Sequence, residues 1–380
     1  MLGAEVTAAR IEGHLSRDPM VAAQWRGEAA VAEAVASIGL EDVRLSEPDL
    51  LIRVSENPDI SADHRAVEDA LSVLRFLRNP GDPAGTPGQV LARIARMAAR
   101  AEADDPLPDP DEDLCTVFDH CQGRAPLLEA LRAAAAYAAL TGRRSPVAER
   151  MVFAAAEHAS RGLASGGPPR IRAADDPLRG LGGRVDATWI ALPSLALTRM
   201  RFRVWSPQNP ASARDLVSGL AKVLDQELGR VIAIHAWRQK AEEASLGLHG
   251  RSKLGDAIAA VDAEPVMTSR ALADRISVTQ RGAINLLAQM TGLGLLEEMT
   301  KRRSARIWAT PGLAWLWAGG RHSPAGAAAG PGIKTGISGA HKSRLRQAED
   351  DTGMANALED FDAMLDRVDG LLGRSKGAAD

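Results

Sequence analysis

Apolar positions recur at helical spacing along most of the chain. Val6, Ile11 and Leu15, then Val21, Trp25, Val31, Val35 and Ile38, follow at intervals of mostly four. Residues 4–39 therefore read as helices, interrupted at Asp18-Pro19. Val67, Leu71, Leu74 and Leu77 share one face of a helix over 63–78, which Asn79-Pro80-Gly81-Asp82-Pro83 ends. Leu127–Leu140 and Pro146–Arg161 form an alanine-rich helical pair divided by Thr141-Gly142-Arg143-Arg144-Ser145. A long pattern from Ala211 to Ala244 runs through Leu216, Leu220, Val223, Leu224, Leu228, Val231 and Ile234. Residues 42–54 alternate loosely and read as a short hairpin or a loop.

The breaks divide the chain. A helical N-terminal region (1–103) precedes a Pro/Asp linker (104–113), whose prolines lack the amide donor a helix needs. A helical central domain (114–250) contains an irregular Gly/Pro-rich stretch starting at Gly166. A C-terminal module (251–318), a Gly/Ala-rich basic linker (319–348) and an acidic amphipathic tail (349–380) complete the order.

The module carries the sharpest pattern. Thr268-Ser269 is an N-cap pair, followed by Ala271, Leu272 and Ile276 on one face. The turn Ser277-Val278-Thr279, with Val278 plugging the gap, leads to a second helix through Ile284, Leu287 and Met290. Gly292-Leu293-Gly294-Leu295-Leu296 closes it. Glu297–Thr300 and Arg306–Ala309 then form a β-hairpin around Lys301-Arg302-Arg303-Ser304. Helix, short turn, helix and basic-tipped hairpin is the order of a winged helix-turn-helix. The fold class expected is mainly α, with a C-terminal winged helix-turn-helix and a flexible tail.

Composition agrees with a helical protein. Of the 380 residues 45% are hydrophobic and only 3% aromatic, and strands favour the aromatic and β-branched types that are scarce here. Two cysteines, Cys115 and Cys121, cannot staple such a chain. The apolar stretch around Trp189 to Leu197 falls short of the ~18 residues of a membrane span. The first residues, MLGAEVTAARIEG, carry charges where a signal peptide has its apolar stretch. A cytoplasmic protein without membrane association is expected.

Net charge is −3, but it is unevenly spread. Between Pro265 and Thr310 seven cations (positions 270, 275, 281, 301, 302, 303 and 306) face three acids (274, 297 and 298). Glu349 to Asp369 holds eight acids and one arginine. Nucleic acid suits the first segment and not the second. The polar residues in the first turns of the second helix, Thr279, Gln280, Arg281 and Asn285, are placed to read base edges opposite Ile284 and Leu287. Lys301, Arg302, Arg303 and Arg306 would hold phosphates or enter the adjacent minor groove. The same elements also suit a dimerisation hairpin with a solvated basic tip.

The segment ALADRISVTQRGAINLLAQMTGLGLLEEMTKRRSARIWAT resembles the winged helix at the C-terminus of many Fic-domain proteins. With AARIEGHLSRDPMVAAQW, HRAVEDALSVLRFLRN and PLLEALRAAAAYAAL, the chain resembles a bacterial, often plasmid-encoded family with a helical domain of unknown function before a helix-turn-helix domain. The resemblance implies a DNA-binding regulatory protein. The Fic likeness raises adenylyl transfer, whose motif supplies a histidine base and a phosphate-cradling Gly/Asn/Arg loop. The loop Leu140–Pro146 has no histidine, and Ala8 stands where a serine or threonine would precede Glu12. Cys115, His120 and Cys121 have C-x4-H-C spacing without a second ligand pair, so buried thiols are favoured over zinc.

The sequence thus points to a non-enzymatic protein binding double-stranded DNA, as a transcriptional regulator or plasmid-maintenance factor. A homodimer is possible in this reading, and no cofactor or metal is expected. The alternatives are a protein-interaction adaptor and a diverged Fic-like adenylyltransferase scaffold without catalytic activity.

Overall fold

Asp18 starts a largely buried helix by accepting hydrogen bonds from the amides of Met20 and Val21, with Pro19 at the first helical position. That helix, α2 (Pro19–Leu40), follows α1 (Leu2–Leu15) in a computed structural model. The structure describes residues 1–47, 50, 64–101, 110–142, 145–164, 187–199, 206, 209–246, 248, 252–300 and 306–317. The expected Gly/Pro-rich stretch at 166–183, the linker 319–348 and the tail 349–380 lie outside them, as do Trp315 and Trp317 as side chains.

The described residues are mainly helical. After α2 come α3 (His64–Arg78), α4 (Pro87–Ala101), the short α5 (Glu112–Cys115), α6 (Pro126–Thr141), α7 (Pro146–Ala164), α8 (Pro193–Arg199) and α9 (Pro210–Ser245). Helix α4 is an addition to the elements expected from the sequence. Val90, Leu91, Ile94 and Ala98 form its buried face. Asp111 caps α5 inside the stretch expected to be a linker. Gly142 ends α6 in the left-handed conformation, at φ 60°, where a side chain would be strained.

The core of the helical body forms where α6 lies on α7, α2 on α3 and α8, and α9 on α1 and α8. Trp25 and Trp189 sit within it, their indole N–H groups donating to Glu227 at 2.9 Å and the Leu77 carbonyl at 2.6 Å. One correction concerns α1. Its buried face is Ala4, Ala8, Ile11 and Leu15, which leaves Val6 exposed, because alanine rather than valine keeps the four-residue period.

At 36 residues α9 is about 54 Å long and joins both parts of the molecule. Leu216 to Ile234 serve the body, and Trp237 and Ala241 enter a second apolar cluster. That cluster belongs to α10 (Leu254–Ala263), β1 (Val266–Thr268), α11 (Ser269–Ile276), α12 (Gln280–Gly292), β2 (Glu297–Glu298) and β3 (Ile307–Ala309). The strands form one antiparallel sheet in the order β1-β3-β2. Met267 pairs with Trp308 on one side and Glu298 with Trp308 on the other. The hairpin is expected from the sequence, but β1 is not, because it is too short for alternation to show. Helix α13 (Pro311–Trp317) returns the chain towards the body.

Candidate nucleic-acid interface

Helix α11 begins with Thr268, whose hydroxyl accepts the Ala271 amide at 3.1 Å. Its end is set by Ser277, held in the left-handed region at φ 54°. That kink turns the chain so that the Val278 amide donates to the Ala273 carbonyl at 3.1 Å, with the Val278 side chain packed against the cluster. Thr279 caps α12 by accepting the Gly282 amide at 3.1 Å. A Cβ at Gly282 would lie 3.3 Å from that hydroxyl oxygen, tighter than ordinary packing. The turn and its caps thus fix how α12 leaves α11.

Ala283, Leu287 and Met290 bury one face of α12, with Leu286 half-buried beside them. The opposite side exposes Arg281, Asn285, Ala288 and Gln289. Gln280 is also exposed, its amide 3.5 Å from the Ser269 hydroxyl. Residues 280–292 contain one cation and no acid. Four expected site residues, Thr279, Gln280, Arg281 and Asn285, therefore stand together at the exposed start of one helix.

Ile284 corrects the sequence reading. Expected on the core face with Leu287 and Met290, it is 39% exposed. Ala283 takes its place in the core, because a spacing of four from Leu287 fits the buried stripe and a spacing of three here turns to its flank.

The hairpin beyond α12 is held by the Met299 amide on the Ile307 carbonyl at 2.8 Å and the Ile307 amide on the Thr300 hydroxyl at 2.9 Å. Lys301, Arg302 and Arg303 lie outside the described residues. Arg306 is exposed and faces Glu298 across the strands at 3.6 Å, an open ion pair that solvent and salt weaken. Trp308 is buried in the cluster. The module is anchored by Trp237, which donates to the Leu295 carbonyl at 2.8 Å, and by Arg238 of α9 on Asp262 of α10.

The helical body places its polar groups differently. Arg230 donates to Glu28 and Glu227, both at 2.9 Å, with all three side chains buried. Glu157 accepts from Arg161 and from the amides of Ile190 and Ala191. His158 is fully buried. Its Nδ1 accepts the Thr188 amide at 3.0 Å, and burial pulls its pKa down to about 4. Burial likewise lifts the Glu33 carboxyl to about 7, against the amides of Ser194 and Leu195 that donate to it.

Cys121 faces the Ala156 carbonyl at 3.5 Å, and burial, with Glu129 and Asp119 nearby, pushes its thiol up to about 12. A metal site needs a thiolate, which this setting opposes. Among the described residues no three His, Cys, Asp or Glu side chains converge as metal ligands, and no helix is long and apolar enough to cross a membrane. No protein-family model matches the chain, and no curated protein does.

Proposed function

We propose that residues 251–318 form a winged helix-turn-helix that binds double-stranded DNA, with α12 as the recognition helix. The observation that carries this reading is the solvent face of α12: a capped helix, free of acids, that projects Gln280, Arg281 and Asn285 from its first turns. Polar side chains at the N-terminal end of a helix suit entry into the major groove, where arginine pairs bidentately with guanine and asparagine or glutamine with adenine. Thr279 uses its oxygen as the cap and keeps its hydroxyl proton for a phosphate. Lys301, Arg302, Arg303 and Arg306 are assigned to the wing, where they would contact phosphates.

The protein is read as a cytoplasmic transcriptional regulator or plasmid-maintenance factor, acting as a homodimer on paired half-sites. Its helical body is read as a scaffold without catalysis. His158 is the histidine nearest in sequence to the Thr141–Ser145 loop, and it is engaged with Thr188 in the core, where it meets no solvent.

Selection of duplexes from a random library tests the reading. Wild type should enrich a motif, and Arg281→Ala should lose preference at one base position per half-site, a discrimination of roughly 1–3 kcal/mol. Replacing Lys301, Arg302 and Arg303 together by alanine should weaken all duplexes alike and lower the salt slope by up to ~0.9 for each phosphate no longer neutralised. No enrichment by wild type would overturn the proposal.

A further inference from the structure

Ile284 is a branched aliphatic side chain, 39% exposed, on a helix whose other exposed positions are polar, alanine or glycine. It stands three residues after Arg281, one before Asn285 and four before Ala288, so it borders the face that carries the hydrogen-bonding groups. Its exposure does not come from a loose helix. Gly282 and Thr279 lock the preceding turn, and Ala283 and Leu287 on either side of it are fully buried.

In the major groove the apolar feature of a base pair is the C5-methyl of thymine, and aliphatic side chains meet it by contact. A helix that presents one cation, three amides and no acid beside this aliphatic group is complementary to such a surface in charge and in hydrogen bonding. We propose that Ile284 is a specificity-determining residue that reads the 5-methyl group of a thymine adjoining the base contacted by Arg281. The inference rests on the DNA-binding reading and adds a second, apolar determinant to it.

Deoxyuridine substitution isolates that methyl, since uracil keeps every pairing edge of thymine and lacks only the 5-methyl. The duplex selected by wild type is remade with each thymine replaced singly. One replacement per half-site should weaken wild-type binding about fourfold, the effect of leaving one methyl-sized group unburied. Ile284→Ala should bind the thymine and uracil duplexes equally, whereas Arg281→Ala should keep the difference. Ile284→Val, which retains a branch, should keep part of it. Because Ile284 lies at the surface, a melting curve of Ile284→Ala close to wild type verifies that the fold is kept.

A selected motif without a sensitive thymine, or the same loss in wild type and Ile284→Ala, overturns the assignment and leaves the DNA reading standing. Self-association that Ile284→Ala abolishes, without any uracil effect, gives the patch to a second copy of the chain and also overturns it. Failure of wild type to select any duplex removes the DNA reading and this inference together.

Discussion

Glu28, Glu33, Glu157, Arg150, Arg161 and Arg230 are all buried in the helical body, whereas between residues 252 and 309 no polar or charged side chain is buried among those described. The module is built on an apolar cluster and keeps its ionic groups at the surface. Buried ion pairs add little net stability over well-packed apolar groups, because desolvation offsets their attraction. Their effect in the body is directional: beside the glutamate on its own helix, Arg230 reaches Glu28 where α2 and α9 meet, and Arg161 reaches Glu12 where α1 and α7 meet. Polarity placed inside sorts helices against one another. Polarity placed outside, on a helix held rigid from below, is free to meet a partner.

The largest test of that contrast is Arg230→Ala. It strands the carboxylates of Glu28 and Glu227 in the core, and loss of one partner from a buried pair costs about 3–5 kcal/mol. The effect will reach the module as well. Thr310, directly after β3, has its hydroxyl 3.5 Å from Glu28, and a Cβ on Gly312 would lie 3.0 Å from the same carboxylate. Urea denaturation followed by circular dichroism reads the loss. The combined change Glu28→Gln, Glu227→Gln and Arg230→Met should recover much of it. A loss below about 1 kcal/mol for Arg230→Ala alone would match a surface pair and contradict the buried network.

Next in size are two opposed pH effects within the body. Free histidine titrates near 6.5 and His158 at about 4, so the folded chain binds fewer protons than the unfolded one in that window. The stability that neutral His158 contributes is complete above pH 6.5 and is lost as pH falls towards 4, about 3 kcal/mol over the whole range. Glu33 runs the other way. Its carboxyl holds a proton up to about pH 7 instead of 4.5, so stability is complete below 4.5 and declines by about 3 kcal/mol as pH rises through 7. Between 4.5 and 6.5 the two slopes offset each other. Glu33→Gln should remove the decline, so that its stability relative to wild type rises from pH 4.5 to 7. His158→Gln should remove the acid loss. Parallel wild-type and variant curves across both windows would contradict these assignments.

The same contrast decides what is legible in the sequence. Caps made by a neighbouring residue are readable: Asp18-Pro19 breaks the first helical run, and Thr268 and Thr279 mark the starts of α11 and α12. Caps made from afar are not. Glu33 of α2 receives the amides of Ser194 and Leu195 at the start of α8, and Glu5 of α1 receives those of Leu127 and Leu128 in α6. Each acid is an ordinary polar residue in its own helix, and only the tertiary fold gives it a partner more than a hundred positions away. Of the expected interface, the first turns of α12 can be read because N-cap and turn chemistry are local. Ile284 is misplaced by periodicity because three- and four-residue spacings both satisfy a helical period. Packing in the module cluster, which takes in Ala283 and leaves Ile284 out and which no local pattern reveals, decides between the two.

The smallest effect sharpens the comparison from the side of the module. Thr279→Ala removes the hydroxyl that accepts the Gly282 amide, and loss of such a cap costs typically about 1 kcal/mol. The cost should fall on α12 alone, since the cap joins Thr279 to the Gly282 amide within that helix's first turn. Hydrogen exchange will therefore speed up at the amides of residues 280–283, while α2 and α7, in the core of the body, keep wild-type protection. Thr279→Ser, which keeps the accepting oxygen, should restore the exchange rates at the start of α12. If Thr279→Ala instead raises exchange in α2 as well, the two regions unfold as one unit. The rigidity of α12 would then be supplied through α9 and Trp237 and not by its own cap.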